Sequence, residues 1–295
     1  MATKPVIVGV DGSEESLLAA EWAAMEARRR GLPLRIVSAP AMAPRQPDYL
    51  RRQAPVARSL RGASAEAIEA AVGRVEEVTP GLEITTGLLS GPPALAVAGS
   101  GSGAAMLVVG ARGAGGFAAM VLGSVSRYAA IRAACPVIVA RQASMAVHQE
   151  VAIGVRDPQD ISAALAFAFD EAAVRHADLV VVHAWYWFPP ALRVRAEAGD
   201  ALGALFHPEE LSAEQISAEA ASGLSAALDS WRGKYPDVTV RHEVIHGHPA
   251  RILANYSSRA DLVVIGRHGS AGIGSIQHVL LDHARGPVAV VPSGD

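Results

Sequence analysis

The sequence of 295 residues is poor in several features that define large classes of proteins. It has a single cysteine, Cys135, so no disulfide can form within the chain, and we expect a reducing, cytoplasmic location. The amino-terminal segment lacks the charged and then apolar pattern of a secretion signal. No apolar run reaches the roughly 18 residues of a membrane-spanning helix, so we expect no membrane anchor.

Charge of one sign is also scarce. The chain has 26 Lys and Arg residues against 29 Asp and Glu residues, a formal net charge of -3, and its longest basic run is RRR at 28–30. Surfaces that bind nucleic acids or anionic membranes carry clustered Lys and Arg. The sequence therefore predicts no nucleic-acid partner and no membrane partner. In contrast, 51% of the residues are hydrophobic, which is enough for the cores of two ordinary domains.

An internal repeat runs through the chain. The segment VIVGVDGSEES recurs in outline as VAIGVRDPQDI, so that Gly9 matches Gly154, and AMLVVGARG (105–113) matches DLVVIGRHG (261–269). Four such blocks follow one another in the same order, which indicates a duplication of about 145 residues. We therefore predict two domains joined by a polar linker. The predicted ranges are 1–144 and 145–295 for the domains and 142–150 for the linker.

Within each half, short β-branched runs alternate with helical patterns, as is typical of a parallel sheet covered by helices on both faces. In the first half the predicted strands are VIVGV, LRIVSA, LEITTGLL, MLVVG and VIVA. Helices are predicted near 14–30, 62–79, 92–101 and 123–134. The predicted fold is α/β: two tandem doubly wound domains, each a five-stranded parallel sheet in the order 3-2-1-4-5.

A glycine-rich stretch, VVGARGAGGFAAMVLGSVS, covers the end of the fourth strand and the loop after it. Without a Cβ, glycine lets backbone N–H groups approach a ligand closely. In the strand order above, this loop meets the VDGS turn after the first strand at one edge of the sheet, where ligands bind in such folds. Exposed N–H groups and the amino end of the next helix favour a phosphate group, although a mobile surface turn is the alternative. The predicted phosphate-binding residues are Gly110, Arg112, Gly113, Gly123, Ser124 and Ser126.

The spacing Gly110-x2-Gly113-x9-Gly123-Ser124 resembles the G-x2-G-x9-G-[ST] signature of the ATP-binding universal stress protein family. VGVDGS after the first strand, SVS after the last glycine and CPVIVA as the final strand are similar to that family as well. The resemblance spans essentially the whole chain as a tandem pair. It implies ATP as the ligand, with Mg2+ entering only through the phosphates, and a nucleotide-dependent role in stress response or growth.

The resemblance also implies roles for single residues. Asp11 binds at the adenosine end of the ligand, the backbone near Val37 meets the adenine, and Val125 belongs to the SVS segment beside the phosphates. Asp11 has a second reading as a cap of the helix that follows it. The family resemblance further implies that the final strands, VIVA and VAVV, pair either within the chain or between two chains of a homodimer.

The second half departs from this pattern. Only four residues separate its second glycine from the Gly-Ser pair, and Arg156 stands where Asp11 stands in the first half. An arginine cannot accept the hydrogen bonds that an aspartate accepts, although the neighbouring Asp157 can. We expect a degenerate, structural or regulatory second site. If it binds nucleotide, the residues are Asp157, Gly266, Gly269, Gly274 and Ser275.

Catalysis has little support in the residues. Hydrolysis of ATP needs a group that positions water, a metal site and stabilisation of the transferred charge. The three histidines His242, His246 and His248 have no acidic or thiol partner at ligand spacing, so we predict no protein-held metal. The alternatives are an ATP-using phosphotransferase, adenylate-forming enzyme or slow ATPase on the same fold, and an interaction module without nucleotide. The segment 185–208 is unexplained, and a lid over the second site is one hypothesis for it.

Overall fold

The computed structural model describes residues 3–40, 54–113, 122–141, 147–156, 162–185, 213–267 and 274–293. Ten strands and eight helices lie within these ranges. The strands are β1 (Val6–Gly9), β2 (Leu34–Ser38), β3 (Ile84–Leu88), β4 (Met106–Gly110), β5 (Val137–Ala140), β6 (Glu150–Val155), β7 (Asp178–Trp185), β8 (Val240–His246), β9 (Leu262–Arg267) and β10 (Val288–Pro292). The helices are α1 (Glu14–Arg30), α2 (Ala54–Val78), α3 (Pro93–Ser100), α4 (Ser124–Arg132), α5 (Ser162–Arg175), α6 (Ala213–Lys234), α7 (Pro249–Tyr256) and α8 (Ser275–His283).

Helix α1 begins and ends where the sequence predicts, because both ends carry strong local signals. The hydroxyl of Ser13 accepts a hydrogen bond from the Ser16 N–H at 3.3 Å and caps the first turn. At the other end Gly31 adopts φ 62°, ψ 34°, and its N–H bonds to carbonyls of the last turn. Helix α2, in contrast, begins at residue 54 rather than near 62. Gly62 lies inside it, at a cost of about 1 kcal/mol relative to alanine that the packed helix tolerates.

The strands form one ten-stranded sheet in the order β3-β2-β1-β4-β5-β10-β9-β6-β7-β8. Each half has the predicted order 3-2-1-4-5 and is parallel throughout. The two halves join where β5 pairs antiparallel with β10, with Ile138 opposite Ala289. The final strands therefore pair within the chain. A homodimer through these same strands has no free strand edge to use.

Two apolar layers cover the sheet, one on each face, and each layer runs through both halves. One contains α1, α2, α5 and α6, with Phe169 and Leu228 fully buried. The other contains α3, α4, α7 and α8, with Ala129 and Leu280 fully buried. Because both faces are covered, the inner strands are almost wholly apolar, as in other parallel sheets, whereas the outermost strands β3 and β8 carry polar residues. Within the described ranges, no helix combines the length and the apolar character that a membrane crossing requires.

The linker ends slightly earlier than predicted. Glu150 already belongs to β6, and the two residues before it are held by one carboxylate. Asp261 accepts hydrogen bonds from the N–H groups of His148 at 2.6 Å and of Gln149 at 3.1 Å. This contact fixes the entry of the second half into the sheet. Residues 142–146 of the linker lie outside the described ranges.

Candidate functional site

A cavity of about 430 Å³ opens at the carboxyl ends of β1 and β4, the adjacent strands where the strand order reverses. This is the edge of the sheet at which doubly wound folds bind ligands, and the volume lies within the usual range for small-molecule pockets. We call it the first cavity. Its walls are Gly9, Val10, Asp11, Ser16, Ala39, Pro92, Pro93, Ala94, Val97, Val109, Gly110, Arg112, Gly113, Gly123, Ser124, Val125 and Ser126.

The first turn of α4 forms one wall of this cavity. Gly123 is the N-cap, with φ -68° and ψ 156°, and no side chain caps the helix there. The Gly123 N–H is itself engaged, because it donates to the Ala111 carbonyl at 2.8 Å. The N–H groups of Ser124 to Ser126 lie at the positive end of the helix, where intrahelical acceptors are lacking. Such an end suits a phosphate group. We call Gly110, Gly113 and residues 123–126 the first cradle.

The three glycines of the first cradle have different reasons to lack a side chain. A Cβ on Gly110 would lie 2.8 Å from the Glu15 carbonyl oxygen, so this glycine lets α1 pack closely against the end of β4. A Cβ on Gly113 would overlap a carboxylate oxygen of Asp11. A Cβ on Gly123 would make only ordinary contacts, the nearest at 3.5 Å. Packing against backbone therefore constrains Gly110, whereas Gly113 lies against the movable Asp11 side chain and Gly123 tolerates a small side chain.

Asp11 lies between the loops that follow β1 and β4. One carboxylate oxygen accepts hydrogen bonds from the Ser13 hydroxyl at 2.6 Å and the Ser13 N–H at 3.1 Å. Because Ser13 caps α1, Asp11 supports the cap indirectly while its other oxygen lies against Gly113. The two readings of Asp11 are thus compatible, since one carboxylate orients the cap and lines the first cavity.

Ser126 and Arg112 each have a protein partner besides facing the first cavity. The buried Ser126 hydroxyl donates to the Gly110 carbonyl at 2.6 Å, which ties the helix start to the strand end. The guanidinium of Arg112 lies 3.4 Å from a carboxylate oxygen of Glu15 and remains about half exposed. Ser124, by contrast, is exposed. Ser126 therefore shapes the cradle, and Ser124 is the hydroxyl that stands open to solvent.

Val37 does not line the first cavity. It is fully buried in β2, and its carbonyl accepts a hydrogen bond from the Val10 N–H at 2.9 Å. The wall next to the end of β2 is formed instead by Ala39, two residues later. Sheet pairing already uses the Val37 carbonyl, whereas the family resemblance assigns the backbone near Val37 to the adenine.

The apolar side of the first cavity comes from the start of α3, which the sequence patterns did not mark as a site. Pro92, Pro93, Ala94 and Val97 lie there. They belong to the block GPPALAVA, whose counterpart in the second half is GHPARILA. The repetition of this block was the available signal, because a helix start that recurs at the same edge of both sheets faces both cavities. Apolar walls of this kind suit the flat face of a nucleobase.

A second cavity of about 550 Å³ occupies the equivalent position of the other half. Its walls are Gly154, Val155, Arg156, Val182, Ala184, Pro249, Leu253, Ile265, Gly266, Gly274, Ser275, Ile276 and Gln277. The N-cap of α8 is Gly274, again without a capping side chain. Asp157 and Gly269, which the sequence also assigns to this site, lie outside the described residues, as does the segment 185–208 apart from Trp185.

The second cavity differs from the first at its helix start. Gln277 replaces Ser126 and donates from its side-chain nitrogen to the Gly266 carbonyl at 3.1 Å. A Cβ on Gly274 would lie 2.5 Å from the Gln277 side-chain oxygen. The Gln277 carboxamide therefore approaches Gly274 more closely than any atom approaches the equivalent position of Gly123. A cation, Arg156, also replaces the carboxylate of Asp11.

The histidines do not assemble a metal site. Among the residues that the structure describes, no three His, Cys, Asp or Glu side chains converge as metal ligands. His242 and His246 both lie within β8, and the His246 ring contacts Trp185 with centroids 4.7 Å apart. His248 is the N-cap residue of α7.

Fold and cavities together define a tandem doubly wound α/β protein in which, in each half, a helix with a glycine N-cap begins at a cavity. The model of the universal stress protein family matches residues 2–141 and 149–292, so the chain belongs to this family. It is 33% identical to universal stress protein Rv2005c of Mycobacterium tuberculosis over 302 residues, covering 97% of this chain and 96% of the relative. It is also 33% identical to universal stress protein Rv2623 of the same organism over 304 residues, covering 97% and 95%.

A solved structure has the same overall fold. The crystal structure of a universal stress protein from Archaeoglobus fulgidus covers 100% of both chains with a TM-score of 0.63 and 18% identity. At that identity the likeness concerns the fold alone.

Proposed function

We propose that the first cavity binds ATP and that the protein acts as a nucleotide-dependent regulator of stress response or growth. The observation that carries this proposal is the uncapped first turn of α4, which faces a cavity of about 430 Å³. Gly123 and Ser124 line the cavity at that helix end, where a phosphate oxygen would meet the N–H groups of the first turn. Asp11 at the opposite side of the cradle would accept hydrogen bonds from ribose hydroxyl groups.

The chemistry of the walls supports a nucleotide rather than a simple anion. Phosphates meet backbone N–H groups and the helix dipole, with the Ser124 hydroxyl and the positive charge of Arg112 nearby. The adenine base meets Pro92, Ala94 and Val97 of the apolar wall. Mg2+ enters bound to the phosphates, since carboxylate and phosphate oxygens are its preferred ligands. The output of ATP binding would be a conformational change or a change in the binding of a protein partner.

The second cavity does not bind ATP in the same mode under this proposal. The Gln277 carboxamide covers Gly274, and Arg156 offers a cation where a ribose hydroxyl requires an acceptor. The proposed regulator is not a dedicated enzyme. Its location is the cytoplasm, in keeping with the single, buried thiol of Cys135.

Calorimetric titration of the purified chain with ATP tests the proposal, beside Gly123→Val and Gly274→Val variants. Both glycines have extended backbone angles that valine adopts, so each substitution adds side-chain volume to one cradle without backbone strain. We expect one ATP per chain, no binding by Gly123→Val and still one ATP per chain in Gly274→Val. Gly62→Val is the matched control, because a Cβ on Gly62 meets no atom within 4 Å.

Three results would contradict parts of the proposal. Absence of ATP binding by the unaltered chain would favour the interaction module without nucleotide. Loss of half the bound ATP in each valine variant would mean two equivalent sites. Release of phosphate at a rate that an acceptor molecule increases would favour the phosphotransferase.

A homodimer is the remaining part of the proposal. Since β5 and β10 pair within the chain, a dimer of intact chains must use another surface. The free edges of the ten-stranded sheet are β3 and β8. Sedimentation velocity with and without ATP would measure whether the intact chain dimerises and whether nucleotide changes the equilibrium.

A further inference from the structure

Helix α4, which carries the first cradle at its amino end, finishes against an arginine of the other half. The Arg267 guanidinium donates from Nη1 to the carbonyl of Ala133 at 2.9 Å and to that of Ala130 at 3.5 Å. Arg267 is the last residue of β9 and follows Gly266, which lines the second cavity. One residue thus joins the wall of the second cavity to the far end of the first cradle helix.

The reverse contact also exists. Arg141 follows the last residue of β5, and its guanidinium donates from Nη2 to the Leu281 carbonyl in the last turn of α8. Ala140 pairs with Gly110 of the first cradle, so Arg141 lies beside the first cavity's end of the sheet. Burial, and then the positive charge of Arg112, lower the pKa of Arg141.

The two arginines that make these contacts are not repeated between the halves. In the matched blocks Arg267 corresponds to Ala111, and Arg141 corresponds to Pro292. Neither position therefore has an arginine as its counterpart in the other half. Arg267 nevertheless reaches the carboxyl end of α4, and Arg141 reaches the carboxyl end of α8. The crossing is a property of the joined chain, and a single half could not make it.

Arginines at these positions hold their helices effectively. The last carbonyls of a helix lack intrahelical partners, and a cation there also interacts favourably with the helix dipole. Helix α4 has only nine residues, about 13 Å of length, so it depends on such tertiary contacts for its order. A shift of its last turn is carried to its first turn, where the proposed phosphate site lies.

We propose that Arg267 and Arg141 are positioning residues: Arg267 holds α4, Arg141 holds α8, and together they couple the two cavities. This inference rests on the proposed function, because it concerns the affinity of the first cavity for ATP. On the side of the second cavity, the Gln277 side chain bonds to the Gly266 carbonyl, next to Arg267. A ligand that displaces Gln277 would therefore act on Arg267 and, through α4, on the first cavity.

The test is ATP titration of the otherwise unaltered chain, in which the proposed function places the one bound ATP in the first cavity. Into this chain we would introduce Arg267→Gln, Arg267→Lys or Arg232→Gln. We expect Arg267→Gln to weaken ATP binding about fivefold or more, the lower end of typical coupling between sites. Lysine should restore most of the affinity, because an ammonium group also donates to helix carbonyls. Arg232 pairs with Asp229 on the surface of α6 and serves as the control with unchanged affinity.

A structural readout covers the case in which Arg267→Gln folds poorly. Hydrogen exchange at the end of α4, residues 130–133, is measured in the unaltered chain with and without ATP. The proposal requires slower exchange there when ATP is bound. Equal affinity of the Arg267→Gln and Arg267 chains, or exchange that ATP does not alter, would overturn it. If the unaltered chain fails to bind ATP, the proposed function itself is refuted instead.

Discussion

Arg30 and Arg175 occupy equivalent positions of the two halves, and each guanidinium bridges the same two buried glutamates. Arg30 donates to Glu26 at 2.6 Å and to Glu171 at 2.7 Å, while Arg175 donates to Glu171 at 3.0 Å and to Glu26 at 2.5 Å. Both carboxylates are fully buried. The four charges therefore neutralise one another across the junction of the halves.

The aromatic residues beside this cluster follow the same symmetry. The Arg175 guanidinium lies over the Trp22 ring at 5.3 Å, and that of Arg30 lies over the Phe167 ring at 5.9 Å. Trp22 and Phe167 are again equivalent positions of the repeat. Each arginine thus stacks on an aromatic ring of the opposite half, which adds cation–π attraction to the ion pairs.

The buried cluster gives the first stability prediction. We expect Glu26→Ala to lower the free energy of unfolding by about 3–5 kcal/mol, because it leaves two buried guanidinium groups with one carboxylate. Asp229→Ala removes a surface ion pair and should cost about 0–1 kcal/mol. Urea denaturation followed by circular dichroism measures both. Equal effects of the two substitutions would mean that the cluster does not stabilise the junction.

The glycines of the first cradle should differ in their tolerance of alanine. Gly110→Ala brings a Cβ within 2.8 Å of the Glu15 carbonyl oxygen, so we expect a loss of about 1–3 kcal/mol from the strain of overpacking. Gly123→Ala meets only ordinary contacts and should leave stability within about 0.5 kcal/mol. Thermal unfolding of the two variants provides the comparison. A destabilised Gly123→Ala variant would contradict the ordinary contacts that a Cβ makes at that position.

The two serines of α4 should separate folding from binding. Ser126→Ala leaves the Gly110 carbonyl without its hydroxyl donor and should cost about 1–3 kcal/mol of stability. Ser124→Ala, at an exposed position, should unfold like the parent chain but bind ATP more weakly. Unfolding curves and ATP titrations of both variants check this separation. A Ser124→Ala variant with unchanged ATP affinity would remove that hydroxyl from the proposed site.

Cys135 should be unreactive in the folded chain. Burial raises the pKa of its thiol to about 11, so at pH 8 the thiol is protonated as well as inaccessible. We expect a chromogenic disulfide reagent to label the native protein slowly and to label one thiol per chain in denaturant. Raising the pH towards the thiol pKa should accelerate labelling as the thiolate forms. Rapid labelling of the folded chain at pH 8 would contradict this prediction.

The junction of the halves predicts how a fragment would behave. Residues 1–144 alone would expose the edge of β5, whose Ile138 and Val139 are fully buried in the intact chain. Because an apolar, unpaired strand edge recruits another strand, we expect this fragment to dimerise through two copies of β5. Sedimentation equilibrium measures the association, with the intact chain as the comparison. A monomeric fragment would show that β5 does not by itself recruit a partner strand.

Much of the fold follows from local sequence signals. Helix α1 was predictable to the residue because Ser13 and Gly31 are caps that act within one turn of the chain. The strand order 3-2-1-4-5 was an expectation for a doubly wound sheet that the sequence does not prove, and the structure confirmed it in both halves. In the first cavity, the glycine spacing located the cradle, since a close backbone approach leaves a direct mark on residue type.

Contacts between the halves have no local sequence signal that predicts them. Two sets of contacts depend on how the halves join in one sheet, so no local pattern predicts them. They are the crossed contacts of Arg267 and Arg141 and the symmetric ion pairs of Arg30 and Arg175. The sequence left open whether the final strands pair within the chain, and the β5–β10 ladder answered that question.

By itself, the sequence determined the duplication, the α/β class and the place of the glycine cradle, because each of these is written in residue spacing. The tertiary structure alone decided which polar groups are already engaged. It showed that the sheet uses the Val37 carbonyl, that Gln277 covers Gly274 and that the start of α3 walls the first cavity. Such facts concern atoms far apart in the chain, whose distances are set only when all layers pack together.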